Sequence, residues 1–380
     1  MTVRRCDGLF PEGLDGSSVF RSVKSLELDV SHLSSSSSSS SSKSSSSKVL
    51  NCFPAVSVLR ILGEVKHDYE ERVMQLSSSS SLQKLSFRGC KGLVLVPAEK
   101  EKEKEKEKEK EKENGGGIEE DNSLLQSLTI SGCGKLLCRW PSMGMGESAD
   151  TIIYPFPASL RKLYVQAEAS IKSMAVLSNL TSLTSLSLKY CRNLTVDGFN
   201  PLIAVNLINL EVQCGKTLAA DMLSQVASHS HSQRAKLLPA ESYMSRLEVL
   251  SVDDISGLLV APICNLLASA LHTLHFASDK RTTEGLTEEQ EKALQLLTSL
   301  RTLVFIKCKV LQSLPQGLHR LSSLKELRVF DCPNIQSMPK EGLPLSLRKL
   351  VISSRFRSAE MDEQIEKIKR TNPDLSVQVY

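Results

Sequence analysis

The chain has 380 residues, of which 41% are hydrophobic, 4% aromatic and 24% charged, and its formal net charge is +4. This apolar content excludes a chain that is disordered throughout, while the few aromatic residues and modest charge argue against a nucleic-acid partner. The longest apolar stretch, 258–271, contains Pro262 and is too short to span a bilayer, so we expect no membrane partner.

The first 22 residues contain no repeated motif, and we interpret 1–22 as an N-terminal segment. It includes MTVRRCDGLFPEGLDG, which lacks the apolar core of a secretion signal. We therefore expect a soluble, cytoplasmic protein.

A short motif, Leu-x-x-Leu-x followed by an aliphatic residue or Phe, recurs along the rest of the chain. Its clearest copies begin at Leu82, Leu125, Leu160, Leu183, Leu207, Leu247, Leu271, Leu300, Leu324 and Leu347. The shortest separations are 23 and 24 residues, a period typical of a leucine-rich-repeat solenoid. With weaker copies at 23–28, 59–62 and 375–377, the predicted repeat domain, 23–380, has about 13 coils.

The coil that begins at Leu300 shows how each repeat is built. Alternation along a strand sends Leu303 and Phe305 into the core. The residues between and beside them face outward: Thr302, Val304 and Ile306. Pro315 then ends regular pairing because it has no N–H. We predict an α/β fold, a curved horseshoe with a parallel β-sheet on its concave face and an irregular or helical convex side.

Three low-complexity segments interrupt the repeats: we predict disordered insertions at 34–47 and 99–117, and a turn at the short serine run 77–81. The first insertion is serine broken only by Lys43, which cannot bury enough apolar area to offset its ordering entropy. The second insertion alternates Glu and Lys from Glu99 to Glu113 and continues into three glycines. Alternation places like charges four residues apart, which disfavours a helix.

Longer steps between motifs predict helices on the convex side. Thr287-Glu288-Glu289-Gln290 matches a capping box, which marks the start of a helix. Met361, Ile365 and Ile368 form one apolar stripe, which predicts a C-terminal capping helix near 358–370.

Six of the ten cysteines follow the first leucine of a repeat by seven or eight residues: Cys90, Cys133, Cys191, Cys214, Cys308 and Cys332. Equivalent positions stack in successive coils, where Cys serves as a small buried hydrophobe. We expect all ten cysteines to be reduced thiols. No pair-plus-pair ligand spacing is present, so we expect no metal site.

Common catalytic motifs are not found in the sequence. It contains no phosphate loop, no G-x-S-x-G turn and no H-E-x-x-H helix. We therefore expect no enzyme activity, no catalytic residue and no cofactor.

Positive charge is concentrated near the C-terminus. Residues 300–380 contain 14 Lys and Arg and 8 Asp and Glu, a net charge of +6, which leaves −2 for residues 1–299. By strand alternation, we predict a protein-binding concave face lined by Arg161, Lys162, Tyr164, Arg301, Lys307, Lys325, Arg328, Arg348 and Lys349. Its partner would be an acidic protein surface; for any single residue, ordinary solvated surface is the alternative.

The string CKVLQSLPQGLHRLSSLKELRVFDCPNIQSMPKEGLPLSLRKLVIS resembles the repeats of plant nucleotide-binding leucine-rich-repeat disease-resistance proteins. The pattern Cys-x-x-Leu-x-x-Leu-Pro is carried by Cys308, Leu311, Leu314 and Pro315, and again by Cys332, Ile335, Met338 and Pro339. The resemblance, specific mainly from residue 290 onward, implies an intracellular module for defence response. Such repeats sense a pathogen effector or guarded host protein, or restrain a nucleotide-binding domain. We expect this chain to lack that domain.

A second resemblance leaves an alternative open. LKYCRNLTVDGF at 188–199 is similar to the repeats of F-box substrate receptors for ubiquitination, although no F-box precedes it. A secreted receptor ectodomain is less favoured, because it would carry Asn where these cysteines stand.

Overall fold

The computed structural model of the protein describes residues 23–29, 55–63, 72–75, 81–96, 123–140, 154–215, 217–234, 246–277, 284–353 and 359–379. The predicted N-terminal segment, 1–22, the predicted insertions, 34–47 and 99–117, and residues 77–80 of the predicted turn lie outside these residues. The chain divides into two compact units, Met1–Ser182 and Leu183–Tyr380.

The first unit contains a parallel sheet to which each repeat contributes one strand. Its strands in chain order are β1 (Ser25–Asp29), β2 (Val58–Leu62), β3 (Arg72–Gln75), β4 (Lys84–Arg88), β5 (Leu93–Val96), β6 (Ser127–Ser131) and β7 (Lys162–Gln166). The main sheet pairs β1 with β2, β2 with β4, β4 with β6 and β6 with β7. Strands β3 and β5 pair separately, so they lie in the limbs between the repeat strands.

The second unit repeats the arrangement with eight strands. They are β8 (Ser185–Lys189), β9 (Asn209–Gln213), β10 (Val249–Val252), β11 (Thr273–Ala277), β12 (Thr302–Ile306), β13 (Glu326–Phe330), β14 (Lys349–Ile352) and β15 (Ser376–Val379). Each strand pairs in parallel with the next along the chain. One strand per short repeat, stacked in chain order, is a leucine-rich-repeat solenoid, and the predicted α/β fold is confirmed.

In the second unit, helices lie in the connections between successive strands of the sheet, which we call the return limbs. They are α1 (Leu218–Arg234), α2 (Ile255–Leu258), α3 (Ala261–Leu267), α4 (Glu288–Gln295) and α5 (Ala359–Thr371), with short 3₁₀ helices at Pro201–Asn206 and Gln316–Arg320. Helix α4 begins with the predicted capping box: the Gln290 N–H donates to Thr287 Oγ1 over 3.3 Å, and the Thr287 N–H donates to Gln290 Oε1 over 2.9 Å. Both bonds satisfy N–H groups that a helix start leaves unpaired.

Helix α5 lies where the C-terminal capping helix was predicted. Met361 and Ile365 on its apolar stripe are buried. Its Gln364 Oε1 accepts a 2.6 Å hydrogen bond from the Met338 N–H. The helix is therefore tied to the return limb of the preceding repeat by a polar contact as well as by packing.

The core of the second unit is a ladder of equivalent leucines. Leu274, Leu303, Leu327 and Leu350 occupy matching register positions on β11–β14 and are 0% exposed. Phe276 packs beside them against Phe305, with ring centroids 5.5 Å apart. Each buried aliphatic side chain contributes roughly 1.5 to 3 kcal/mol to the free energy of folding, provided that the neighbouring repeats cover it.

The described cysteines follow the prediction of stacked thiols. Within the described residues, Cys90, Cys133, Cys191, Cys214, Cys264, Cys308 and Cys332 are buried thiols outside any disulfide, and Cys138 is an exposed thiol outside any disulfide. The seven buried thiols donate to backbone carbonyls; Cys332 Sγ, for example, donates to the Phe330 oxygen over 3.2 Å. Burial raises the pKa of the Cys264 thiol to about 12. Cys6 and Cys52 lie outside the described residues.

Replacing Leu327 by Ala removes buried methyl groups from the centre of the ladder, where the side chain is 0% exposed. We expect a loss of roughly 2 to 5 kcal/mol in the free energy of unfolding, measured by urea titration. Leu345, which is 79% exposed, is the matched control: Leu345→Ala should change stability by less than about 0.5 kcal/mol. Equal unfolding midpoints for the two variants would contradict the assigned core.

Thiol alkylation of the native protein should label Cys138 much faster than the seven buried cysteines, because a buried thiol is shielded from the reagent. Intact mass and peptide mapping measure the order of labelling. After denaturation without reductant, all ten cysteines should be alkylated. A shortfall removed by reductant would reveal disulfides and contradict the predicted reduced state.

Candidate protein-binding face

Outward side chains of the second unit form rows across neighbouring strands. We call the side of β11–β14 that points away from the core leucines the outer face. Its residues are Thr273, His275, Ala277, Thr302, Val304, Ile306, Glu326, Arg328, Phe330, Lys349 and Val351. Parallel pairing places Thr302 beside Glu326, Val304 beside Arg328, and Ile306 beside Phe330. Strands lie about 4.8 Å apart, so side chains in one row are close enough to interact directly.

Three predicted basic residues form a row along the amino edge of the outer face. Arg301, Lys325 and Arg348 are all exposed, and each lies one residue before its strand rather than on it. The Lys325 N–H donates to the Arg301 oxygen over 2.8 Å, and the Arg348 N–H donates to the Lys325 oxygen over 2.8 Å. This backbone ladder fixes the three positions as neighbours. We call them the basic edge.

The members of the basic edge differ in their acidic contacts. The Arg348 guanidinium lies 3.6 Å from Asp374 Oδ2, and both side chains are more than half exposed. Among the described residues, Arg301 and Lys325 have no acidic side chain within ion-pair distance. Two adjacent, exposed positive charges therefore remain unneutralised within this part of the structure.

Lys307 lies at the opposite edge of the sheet. It follows the last residue of β12, and its N–H donates to the Phe330 oxygen over 2.9 Å. Its φ of 56° is in the left-handed region, as is that of Asp331 at the equivalent position of the next repeat. Six residues of extended chain separate it from Arg301, or roughly 20 Å. Lys307 is therefore separate from the basic edge.

Arg328 and Lys349 lie on the outer face itself and converge on one carboxylate. Arg328 Nη2 donates to Glu326 Oε2 over 3.0 Å, and Lys349 Nζ lies 3.3 Å from Glu326 Oε1. Arg328 Nε also lies 3.0 Å from this Oε1, so the guanidinium faces both oxygens of the carboxylate. These two cations are partly neutralised, in contrast to Arg301 and Lys325.

The pKa of Glu326 reflects this position. Burial on its own would raise it, but the hydrogen bond and charge of Arg328, together with Lys349, outweigh burial and hold the pKa below the ordinary glutamate value. Glu326 is thus ionised at neutral pH and orients both cations.

The carboxyl half of the outer face is apolar. Ala277, Ile306 and Phe330 form one row across three strands. Ile306 and Phe330 are half-buried, whereas Val304 and Val351 in the central row are 3% and 2% exposed. Val304 was predicted to face outward and does so by register, but its lateral neighbours His275 and Arg328 leave it little exposed surface.

On β8–β10, outward side chains form a polar network centred on Glu211. Glu211 accepts hydrogen bonds from Ser187 Oγ over 2.8 Å and Gln213 Nε2 over 3.1 Å, and Lys189 Nζ lies 2.8 Å from its Oε1. Gln213 also donates to Ser251 over 3.2 Å. The carboxylate is fully engaged, which distinguishes this region from the basic edge.

The remaining predicted site residues belong to the first unit. Lys162 and Tyr164 are outward residues of β7, and Arg161 precedes the strand. Arg161 and Lys162 are exposed, whereas Tyr164 is half-buried and donates its hydroxyl to Gln166 Oε1 over 2.7 Å. These three residues belong to the surface of the first unit.

Sequence reasoning missed Glu326, Glu211 and Phe330 as parts of the exposed surface, and it predicted that Ile306 faces outward without assigning it to the binding face. Strand alternation places all four side chains outward, so the direction of the other three could also have been found. The contacts of Glu326 with Lys349 and of Glu211 with Ser187 join residues more than 20 positions apart. Those contacts required the register of neighbouring strands.

Within the described residues, no cluster of three or more His, Cys, Asp or Glu side chains could hold a metal ion. No helix in that same part of the chain is both long and apolar enough to cross a membrane. The arrangement of the outer face offers charge and apolar contact rather than a reactive group. A leucine-rich-repeat sheet of this kind is a scaffold for protein interaction.

Comparisons with known proteins identify neither a family nor a function for this chain. No protein-family model matches the chain, and no curated protein matches it. Among solved structures, a leucine-rich-repeat protein of Leptospira interrogans is similar, with 15% identity and a TM-score of 0.37 over 96% of this chain and 94% of that chain. A likeness at this level carries no argument about fold or function.

The Glu326 ion pairs predict a pH dependence of stability. The folded-state pKa of Glu326 is depressed. The contribution of its ion pairs to the free energy of unfolding is therefore complete above the pKa of the unfolded state, about 4.3, and is lost as the pH falls through the folded-state pKa. We expect Glu326→Gln to lower stability at pH 7 by no more than about 1 kcal/mol, and this difference should vanish in acid. Urea titrations across this pH range test it, with exposed Glu341→Gln as control. A constant difference at all pH values would contradict the assignment.

Proposed function

We propose that this protein is a protein-interaction module of the plant immune-receptor type, acting in the cytoplasm in defence response. Its outer face and basic edge would bind an acidic surface on a nucleotide-binding domain, a pathogen effector or a guarded host protein. The observation that carries this proposal is the exposed pair Arg301 and Lys325, stacked on neighbouring repeats without a described acidic partner.

Electrostatics gives this pair a preference for acidic partners. Backbone pairing holds Arg301 and Lys325 side by side, so their fields add over the same region of solvent. An acidic surface would relieve their mutual repulsion on binding. Both side chains are exposed, so the attraction should weaken with salt, whose screening length is about 8 Å at physiological ionic strength.

The immune-receptor type rests on the sequence resemblance. Cys308, Leu311, Leu314 and Pro315 carry the pattern similar to the plant family, and the structure buries all four residues. The pattern residues therefore stabilise the core, and the exposed charged residues determine which partner binds.

Charge reversal tests the proposed partner. The double variant Arg301→Glu and Lys325→Glu should reduce capture of a separately expressed nucleotide-binding domain from a plant resistance protein by roughly tenfold or more. Arg192→Glu and Lys340→Glu is a matched control, because it also reverses one Arg and one Lys at exposed positions of the second unit. Binding is measured by co-precipitation and by biosensor titration at low and high salt.

The control variant should bind like the wild type and retain its salt dependence. Thermal melting must first show that both double variants are folded. If folded Arg301→Glu, Lys325→Glu protein binds with unchanged affinity and salt dependence, the basic edge is ordinary solvated surface. In that case, the proposed site is wrong.

A further inference from the structure

The outer face changes its chemistry along the strand direction. Its amino edge carries Arg301 and Lys325, while its carboxyl half carries the apolar row that ends in Ile306 and Phe330. A partner that offered only carboxylates would engage one half of this surface. A partner that contacted both halves would need acidic groups for the basic edge and apolar groups for the apolar row.

The apolar half has surface left to bury. Ile306 and Phe330 are half-buried although they point away from the core. Val304, one row closer to the amino edge, is already 3% exposed, so additional apolar burial must come mainly from Ile306 and Phe330. An aromatic ring beside an arginine, here Phe330 and Arg328 on one strand, is the composition enriched at the energetic centre of protein interfaces.

The distance between the halves constrains the partner. Phe330 is the last residue of β13, and Lys325 lies one residue before that strand begins. The two are therefore five residues apart along extended chain, which is roughly 16 Å. About five residues of extended partner chain span this distance. A short segment can therefore reach both the basic edge and the apolar row.

We infer that the partner presents an acidic segment with at least one large apolar side chain, whose carboxylates face the basic edge and whose apolar group covers Ile306 and Phe330. This inference rests on the proposed function, because it specifies the chemistry of the partner at that same face. A single-stranded nucleic acid is the main competitor, because its phosphates could meet the cations and its bases could stack on Phe330.

Two synthetic fluorescent peptides with the same number of Glu residues test the inference. One carries Phe and the other Ser at the same intervening positions, and fluorescence anisotropy measures their binding to the full chain. We expect the Glu/Phe peptide to bind roughly tenfold more tightly than the Glu/Ser peptide, the gain typical of a buried anchor. An oligonucleotide of equal charge serves as the third probe.

Variants assign the two contributions to the two halves of the face. Phe330→Ser, or Ile306→Ser if the first variant melts at a lower temperature, should remove most of the difference between the peptides. Leu202→Ser is the control, because Leu202 is 42% exposed on a 3₁₀ helix of the return limb. Arg301→Glu with Lys325→Glu should weaken both peptides by a similar factor.

The outcomes separate this inference from the proposed function. Equal binding of both peptides would overturn the apolar anchor and leave the acidic partner standing. Binding of neither peptide would overturn both. Tighter binding of the oligonucleotide than of either peptide would replace the protein segment with nucleic acid.

Discussion

The structure depends on lateral contact between repeats. A single coil has one apolar side and too few residues to cover it, so the leucines at Leu303, Leu327 and Leu350 are buried only because each neighbour closes over the last. The same parallel register that stacks these leucines also aligns every outward side chain. Outward side chains therefore form rows across the strands. The environment of a charged residue is set largely by the residue at the equivalent position of the adjacent repeat.

Glu326 divides the basic residues into two groups. Arg328 and Lys349 share its carboxylate and are held against the sheet, whereas Arg301 and Lys325 lie at the edge without a described acidic partner. An exposed ion pair adds little to stability because solvent already screens its charges. Its larger effect is orientation. The two long side chains are already ordered before a partner binds, which lowers the entropic cost of binding.

Much of the fold could be predicted from the sequence, because the repeat period and strand alternation are local patterns. The alternation correctly placed Leu303 and Phe305 inside. It could not place Arg301 or Lys307, since a strand boundary depends on which backbone groups find partners in the adjacent repeat. The burial of Val304 depends on the size of its neighbours on adjacent strands, and Glu326 forms an ion pair with Lys349 on the next repeat. Those properties belong to pairs of repeats.

The register of β9 and β10 has an evolutionary consequence. Their first motif leucines, Leu207 and Leu247, are 40 residues apart, far more than the shortest repeat, and α1 lies between them. Asn209 nonetheless pairs with Val249, in line with the other strands. Return limbs can therefore lengthen without shifting the outward rows. A lineage of such chains could gain or lose convex insertions freely, while selection on the exposed rows acted one side chain at a time.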